Sequence, residues 1–129
     1  MPVRISKKFR FESAHFLPAM PEGHQCRRLH GHSFKMDVNV EGEADPETGL
    51  LMDFGDIKKI AQPYVDLLDH WCINEVGERL GEPLLSNPSS ENLARWFYEK
   101  LAPHLPGLYS ITVYETCTTR CEYRPGSFV

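Results

Sequence analysis

Two long stretches of this chain alternate between apolar and polar side chains, and both carry histidine on the apolar parity. In residues 3–16, Val3, Ile5, Lys7, Phe9, Phe11, Ser13 and His15 share one parity, while Arg4, Ser6, Lys8, Arg10 and Glu12 take the other. In residues 30–43, His30, His32, Phe34, Met36, Val38 and Val40 alternate with Gly31, Ser33, Lys35, Asp37, Asn39 and Glu41. A period of two marks a strand with one face turned inward. All three histidines therefore belong to inward faces. His30 and His32 stand roughly 6.6 Å apart along one strand face, close enough to converge on one ion.

The rest of the pattern sets the architecture. Pro18 to Leu29 is a Pro/Gly-containing connection that holds Cys26. Asp45-Pro46-Glu47-Thr48-Gly49 is turn chemistry. Asp53 is placed to cap a helix running to about Leu68, with Ile57, Ile60, Ala61, Tyr64 and Leu68 as its buried stripe. Pro63 inside it predicts a kink or a break. Asn74, Gly77, Gly81 and Pro83 make residues 69–87 read as loop. Asn87-Pro88-Ser89-Ser90-Glu91 starts a second helix, which continues through Leu93, Trp96, Phe97 and Leu101. Two further strands are expected at about 108–117 and 120–125. Strand–strand–helix–helix–strand–strand is an α+β order: an antiparallel four-stranded sheet with two helices on one face. The length of 129 residues suits one domain, residues 1–129, with a sizeable core.

Charge and composition exclude several functions. A net charge of −4 with no long basic run argues against general nucleic-acid binding. No apolar stretch approaches a membrane span, and the N-terminal residues lack a signal peptide's apolar centre. A cytoplasmic protein with reduced cysteines is the expectation.

The chemistry gathers around Cys-x-x-x-His-Gly-His, Cys26 to His32. Zn2+ accepts imidazole nitrogen readily, and His15, His30 and His32 would leave its fourth position open to a water or substrate oxygen. Cys26 could close the site as a fourth ligand, act as base or nucleophile, or be an inert thiol. Nearby cations, including Arg27 and Arg28, would favour its thiolate. Spacing alone leaves ligand and catalyst equally open. Asp69 and His70 could form an acid/base pair, although a histidine at a helix end is more often structural. Glu115 shares its parity with Tyr109, Ile111 and Val113, and a carboxylate among apolar residues needs a partner. An arginine of the protein is the usual partner; a planar amidine-like group of a ligand is the other. Cys117 and Cys121 flank a short turn, lack enough neighbours for a second metal site, and read as free thiols.

Together these residues resemble the 6-pyruvoyltetrahydropterin synthase family. The resemblance rests on Phe11-Glu12-Ser13-Ala14-His15, the Cys26 to His32 run, Leu68-Asp69-His70, Asn87-Pro88-Ser89-Ser90-Glu91-Asn92-Leu93 and Glu115-Thr116. The three-residue gap between Cys26 and His30, with Cys117-Thr118-Thr119-Arg120-Cys121 and Tyr123-Arg124, is similar to the bacterial 6-carboxytetrahydropterin synthases of queuosine biosynthesis. The resemblance implies the tunnelling fold, with sheets of three subunits joined into a barrel and two trimers stacked as a homohexamer. It implies that His15, His30 and His32 hold zinc, that Cys26 is the general base, and that Asp69 and His70 form a relay reaching a neighbouring subunit's site. Glu115, with Thr116, would bind the pterin, and Glu115 would join the relay. The implied reaction takes 7,8-dihydroneopterin triphosphate to 6-carboxy-5,6,7,8-tetrahydropterin, acetaldehyde and triphosphate. Lysines or arginines must meet the triphosphate; Arg27 and Arg28 are close in sequence, but nothing in the sequence singles them out from the other basic residues.

Overall fold

The computed structural model describes residues 1–126. Four strands form one antiparallel sheet in the order β1-β2-β3-β4: β1 Pro2–His15, β2 His30–Glu43, β3 Leu108–Thr116 and β4 Thr119–Tyr123. The β1–β2 register pairs Phe9 with Met36, Phe11 with Phe34, Ser13 with His32 and His15 with His30. Like parities therefore meet across the strands, which gathers the apolar side chains on one face and brings the histidines together at one end.

Helices cover that apolar face. Helix α1 spans Phe54–Leu68, α2 Ile73–Leu80 and α3 Ser90–Leu101. Phe9, Phe11, Phe34, Met36, Val38, Ile111 and Val113 of the sheet share one core with Ile57, Ala61, Val65, Leu68, Leu93, Phe97 and Leu101 of the helices. Phe11 stacks on Phe34 with ring centroids 5.0 Å apart. Asp53 caps α1 by accepting from the Gly55 amide at 2.7 Å, and Ser89 caps α3 by accepting from the Asn92 amide at 3.1 Å. Among the described residues no helix is long and apolar enough to cross a membrane.

The opposite face is polar and hydrogen-bonded across strands. Ser6 Oγ donates to Asn39 Oδ1 at 2.6 Å, and the Asn39 carboxamide donates to Ser110 Oγ at 3.0 Å and Thr112 Oγ1 at 3.1 Å. Ser110 Oγ in turn donates to Glu122 at 2.6 Å.

Two expectations need correction. The fold has three helices, because α2 occupies part of the segment read as loop over 69–87. Gly77 does not break the helix: it lies inside α2, where a Cβ would meet the Leu85 side chain at 2.6 Å. It is the close approach of Leu85 that favours glycine there. Gly81 ends the helix in the left-handed region at φ 66°, the usual αL cap. The second correction concerns Pro63. Helix α1 runs through it without a break. Pro63 and Lys59 are both exposed, so the Lys59 carbonyl, deprived of its helical donor, faces solvent instead of the core.

Candidate metal and substrate site

The three inward histidines meet at the end of the β1–β2 ladder. One ring nitrogen from each of His15, His30 and His32 lies within 4.8 Å of the others. Hydrogen bonds fix which nitrogen faces the centre. His15 Nδ1 lies 2.8 Å from the Pro88 carbonyl, and His30 Nδ1 lies 2.7 Å from the Arg28 carbonyl. A carbonyl only accepts, so in both neutral rings the proton sits on Nδ1 and the Nε2 lone pair is free. His15 is 1% exposed and its Nε2 has no hydrogen-bond partner among the described residues. A buried, unpartnered imidazole lone pair beside two more imidazoles fits a metal ion of borderline softness such as zinc. Burial pushes the His15 imidazole down to about 4, against a smaller opposing effect of the Pro88 carbonyl, so His15 is neutral and able to ligate at pH 7. His32 is also shifted down, mainly by burial.

Around the cluster lies a cavity of about 440 Å³, lined also by Leu17, Gln25, Cys26, Arg28, Leu29 and Glu115. Cys26 sits in a single 3-10 turn, Gln25–Arg27. Its carbonyl accepts from the Leu17 amide at 2.8 Å, and its amide donates to His24 Nδ1 at 3.1 Å. Cys26 lines the cavity but stands outside the three-imidazole cluster. Glu115 reaches into the same cavity, with Oε1 3.9 Å from His15 Nε2. It forms no ion pair with a lysine or arginine among the described residues, so the commoner reading of Glu115 as half of an internal ion pair is not what the fold builds.

Asp69 and His70 are elsewhere. They follow α1 on the outer edge of β1, where the His70 amide donates to the Glu12 carbonyl at 2.6 Å and the Ala14 amide donates to the Trp71 carbonyl at 3.2 Å. Asp69 accepts from the Glu12 amide at 2.8 Å and lies 3.1 Å from His70 Nδ1. The Glu12 amide holds the Asp69 carboxyl below its usual range, with His70 adding a smaller effect. His70 has φ 65°, an uncommon conformation for a residue with a Cβ, and its side chain is 77% exposed. His70, but not Asp69, lines a separate, more open recess that meets the first only at His32. Thr116 lies at the end of β3, where its hydroxyl is 2.7 Å from that of Thr119, and it does not line the cavity.

Sequence reasoning missed Asn74. Its carboxamide accepts from the Phe16 amide at 3.0 Å and donates to the Phe16 carbonyl at 2.9 Å, next to His15. This continues the pairing on the outer edge of β1, begun by Ala14 and Trp71, one residue past the strand and anchors the backbone beside His15. Nothing in a local pattern signals it, since the partners lie 58 residues apart. The Pro88 carbonyl was equally invisible, because it is backbone.

The profile of the 6-pyruvoyl tetrahydropterin synthase family matches residues 4–126. A 6-carboxy-5,6,7,8-tetrahydropterin synthase of Synechocystis sp. is 44% identical over 92% of this chain and 91% of its own. A dihydroneopterin monophosphate aldolase of Pyrococcus furiosus is 35% identical over 83% of this chain and 82% of its own. Among solved structures, the 6-pyruvoyl tetrahydropterin synthase of Caenorhabditis elegans superposes with a TM-score of 0.85 at 25% identity, covering 98% of this chain and 97% of that one. With the three-histidine cluster and the four-stranded sheet, these similarities show that the chain belongs to the 6-pyruvoyl tetrahydropterin synthase family of enzymes.

Proposed function

We propose that the chain is a zinc-dependent carbon–carbon lyase of queuosine biosynthesis in the cytoplasm. It would convert 7,8-dihydroneopterin triphosphate and one water to 6-carboxy-5,6,7,8-tetrahydropterin, acetaldehyde and triphosphate. The observation that carries this reading is the separation of Cys26 from the three imidazoles within one cavity. Three ligands leave an open position, and a thiol that is not a ligand is available to take a proton. Likeness to the Synechocystis synthase, and the three-residue gap between Cys26 and His30, favour the lyase over the pyruvoyl-type elimination of triphosphate.

Bound zinc would be held by His15, His30 and His32 and would polarise side-chain oxygens of the substrate, acidifying the adjacent C–H bond. The Pro88 and Arg28 carbonyls keep His15 and His30 in the ligating tautomer. Cys26, held in its turn by Leu17 and His24, removes the proton. Glu115, free of internal cations, takes the amidine-like edge of the pterin through paired hydrogen bonds. Asp69 and His70 return a proton. Because they lie outside their own chain's cavity, they serve the cavity of a neighbouring copy, which suits a homohexamer of two trimeric barrels. Thr116 lies beside Glu115 in sequence but outside the cavity of a single chain, so any contact with the ring belongs to the assembled site.

A Cys26→Ala variant tests the reading against that of a structural zinc site with Cys26 as fourth ligand. Turnover falls by about two to four orders of magnitude while one zinc per chain is retained. Loss of zinc together with the fold would instead make Cys26 a structural ligand, and full turnover would remove it as base.

A further inference from the structure

The two arginines after Cys26 are adjacent in sequence and opposite in circumstance. Arg27 Nη1 donates to the Pro18 carbonyl at 3.2 Å and the Met20 carbonyl at 2.8 Å, tying the connection after β1 to the turn that carries Cys26. It does not line the cavity. Arg28 does line it, its backbone is committed to the His30 ring and the Gln25 carbonyl, and its guanidinium has no hydrogen bond or ion pair among the described residues. The residues lining the cavity thus include one permanent cation, Arg28, and one carboxylate, Glu115.

A ligand with a polar heterocycle at one end and an anionic chain at the other can enter such a cavity in only one favourable sense. Glu115 repels the anion and accepts from ring N–H groups. A guanidinium presents a planar fork of donors suited to phosphate oxygens. We propose that Arg28 is a specificity-determining residue that binds the phosphate chain of the substrate at this cavity, and that Arg27 is a structural clamp. The proposal rests on the pterin-phosphate reading above. Because the Arg28 side chain is exposed, its contact is weakened by solvent and by salt, and its effect is modest but selective.

The test is equilibrium binding of two unreactive pterins, neopterin triphosphate and neopterin, to the zinc-loaded protein, with zinc content measured before and after. For Arg28→Gln we expect affinity for neopterin triphosphate to fall roughly fivefold to tenfold while that for neopterin is unchanged. Arg28→Lys recovers part of the loss, and raising salt narrows the wild-type preference for the triphosphate. Arg27→Gln lowers the unfolding midpoint and leaves the ratio of the two affinities as in wild type. An unchanged ratio in Arg28→Gln, or a loss of preference in Arg27→Gln instead, overturns the assignment of Arg28 alone. Failure of the wild-type protein to bind either pterin overturns the substrate reading, and the proposal with it.

Discussion

Acidifying the metal-free protein should destabilise it through His15. The ring is 1% exposed, and burial pushes its titration from an ordinary 6.5 to about 4. In the unfolded chain it titrates near its ordinary value, so between these limits the unfolded state binds more protons. Stability is therefore complete above about pH 6.5 and is lost as pH falls towards 4. The slope reaches about 1.4 kcal/mol per pH unit, and from pH 7 to 4.5 the loss comes to about 2 kcal/mol. That is a measurable fraction of a typical domain stability of about 5–15 kcal/mol. His32, shifted in the same direction, adds to the loss. Asp69 does not interfere, because its carboxyl is held below an ordinary 3.8 and its contribution is lost at lower pH. Urea unfolding of chelator-treated protein at several pH values measures the slope. His15→Gln, which cannot titrate, should be less stable throughout but show a slope shallower by about 1 kcal/mol per unit near pH 5. Equal slopes in the two proteins would refute the claim that His15 is buried as the neutral ring.

Other substitutions separate ligand, relay and scaffold. His32→Ala should lose zinc, measured as metal per chain after dialysis; unchanged stoichiometry would remove it from the ligand set. Cys26→Ala and His70→Ala should each be inactive alone. Dissociated and reassembled as an equal mixture, they should regain about a quarter of wild-type activity if each site draws the two residues from different copies. No recovery would return His70 to its own chain's site. Asn74→Ala should cost about 1–3 kcal/mol of stability in urea and weaken zinc binding, because the Phe16 backbone next to His15 loses both partners. Unaltered zinc affinity would show that the His15 position does not depend on that anchor.

How much was legible in the sequence depended on the range of the interactions. Strand alternation placed His15, His30 and His32 on one face because a period of two survives without knowledge of the partner strand, and the register put His15 opposite His30. The caps Asp53 and Ser89 were equally local. Helix α2 was not, because Gly77 is explained by Leu85, which packs on it from beyond the helix. Its apolar neighbours in sequence mark Glu115 as a carboxylate in need of a partner, and only the fold shows that no lysine or arginine supplies one among the described residues. Arg27 and Arg28 could not be told apart until the Pro18 and Met20 carbonyls were seen to occupy one of them.

The central claim is that a three-imidazole site with a free thiol breaks a carbon–carbon bond in a pterin side chain. It is tested most directly by incubating the zinc-loaded protein with 7,8-dihydroneopterin triphosphate and identifying every product by mass spectrometry. The account predicts 6-carboxy-5,6,7,8-tetrahydropterin with acetaldehyde and triphosphate in equal amounts. A pyruvoyl pterin formed with triphosphate and without acetaldehyde, or recovery of the substrate intact, would contradict it.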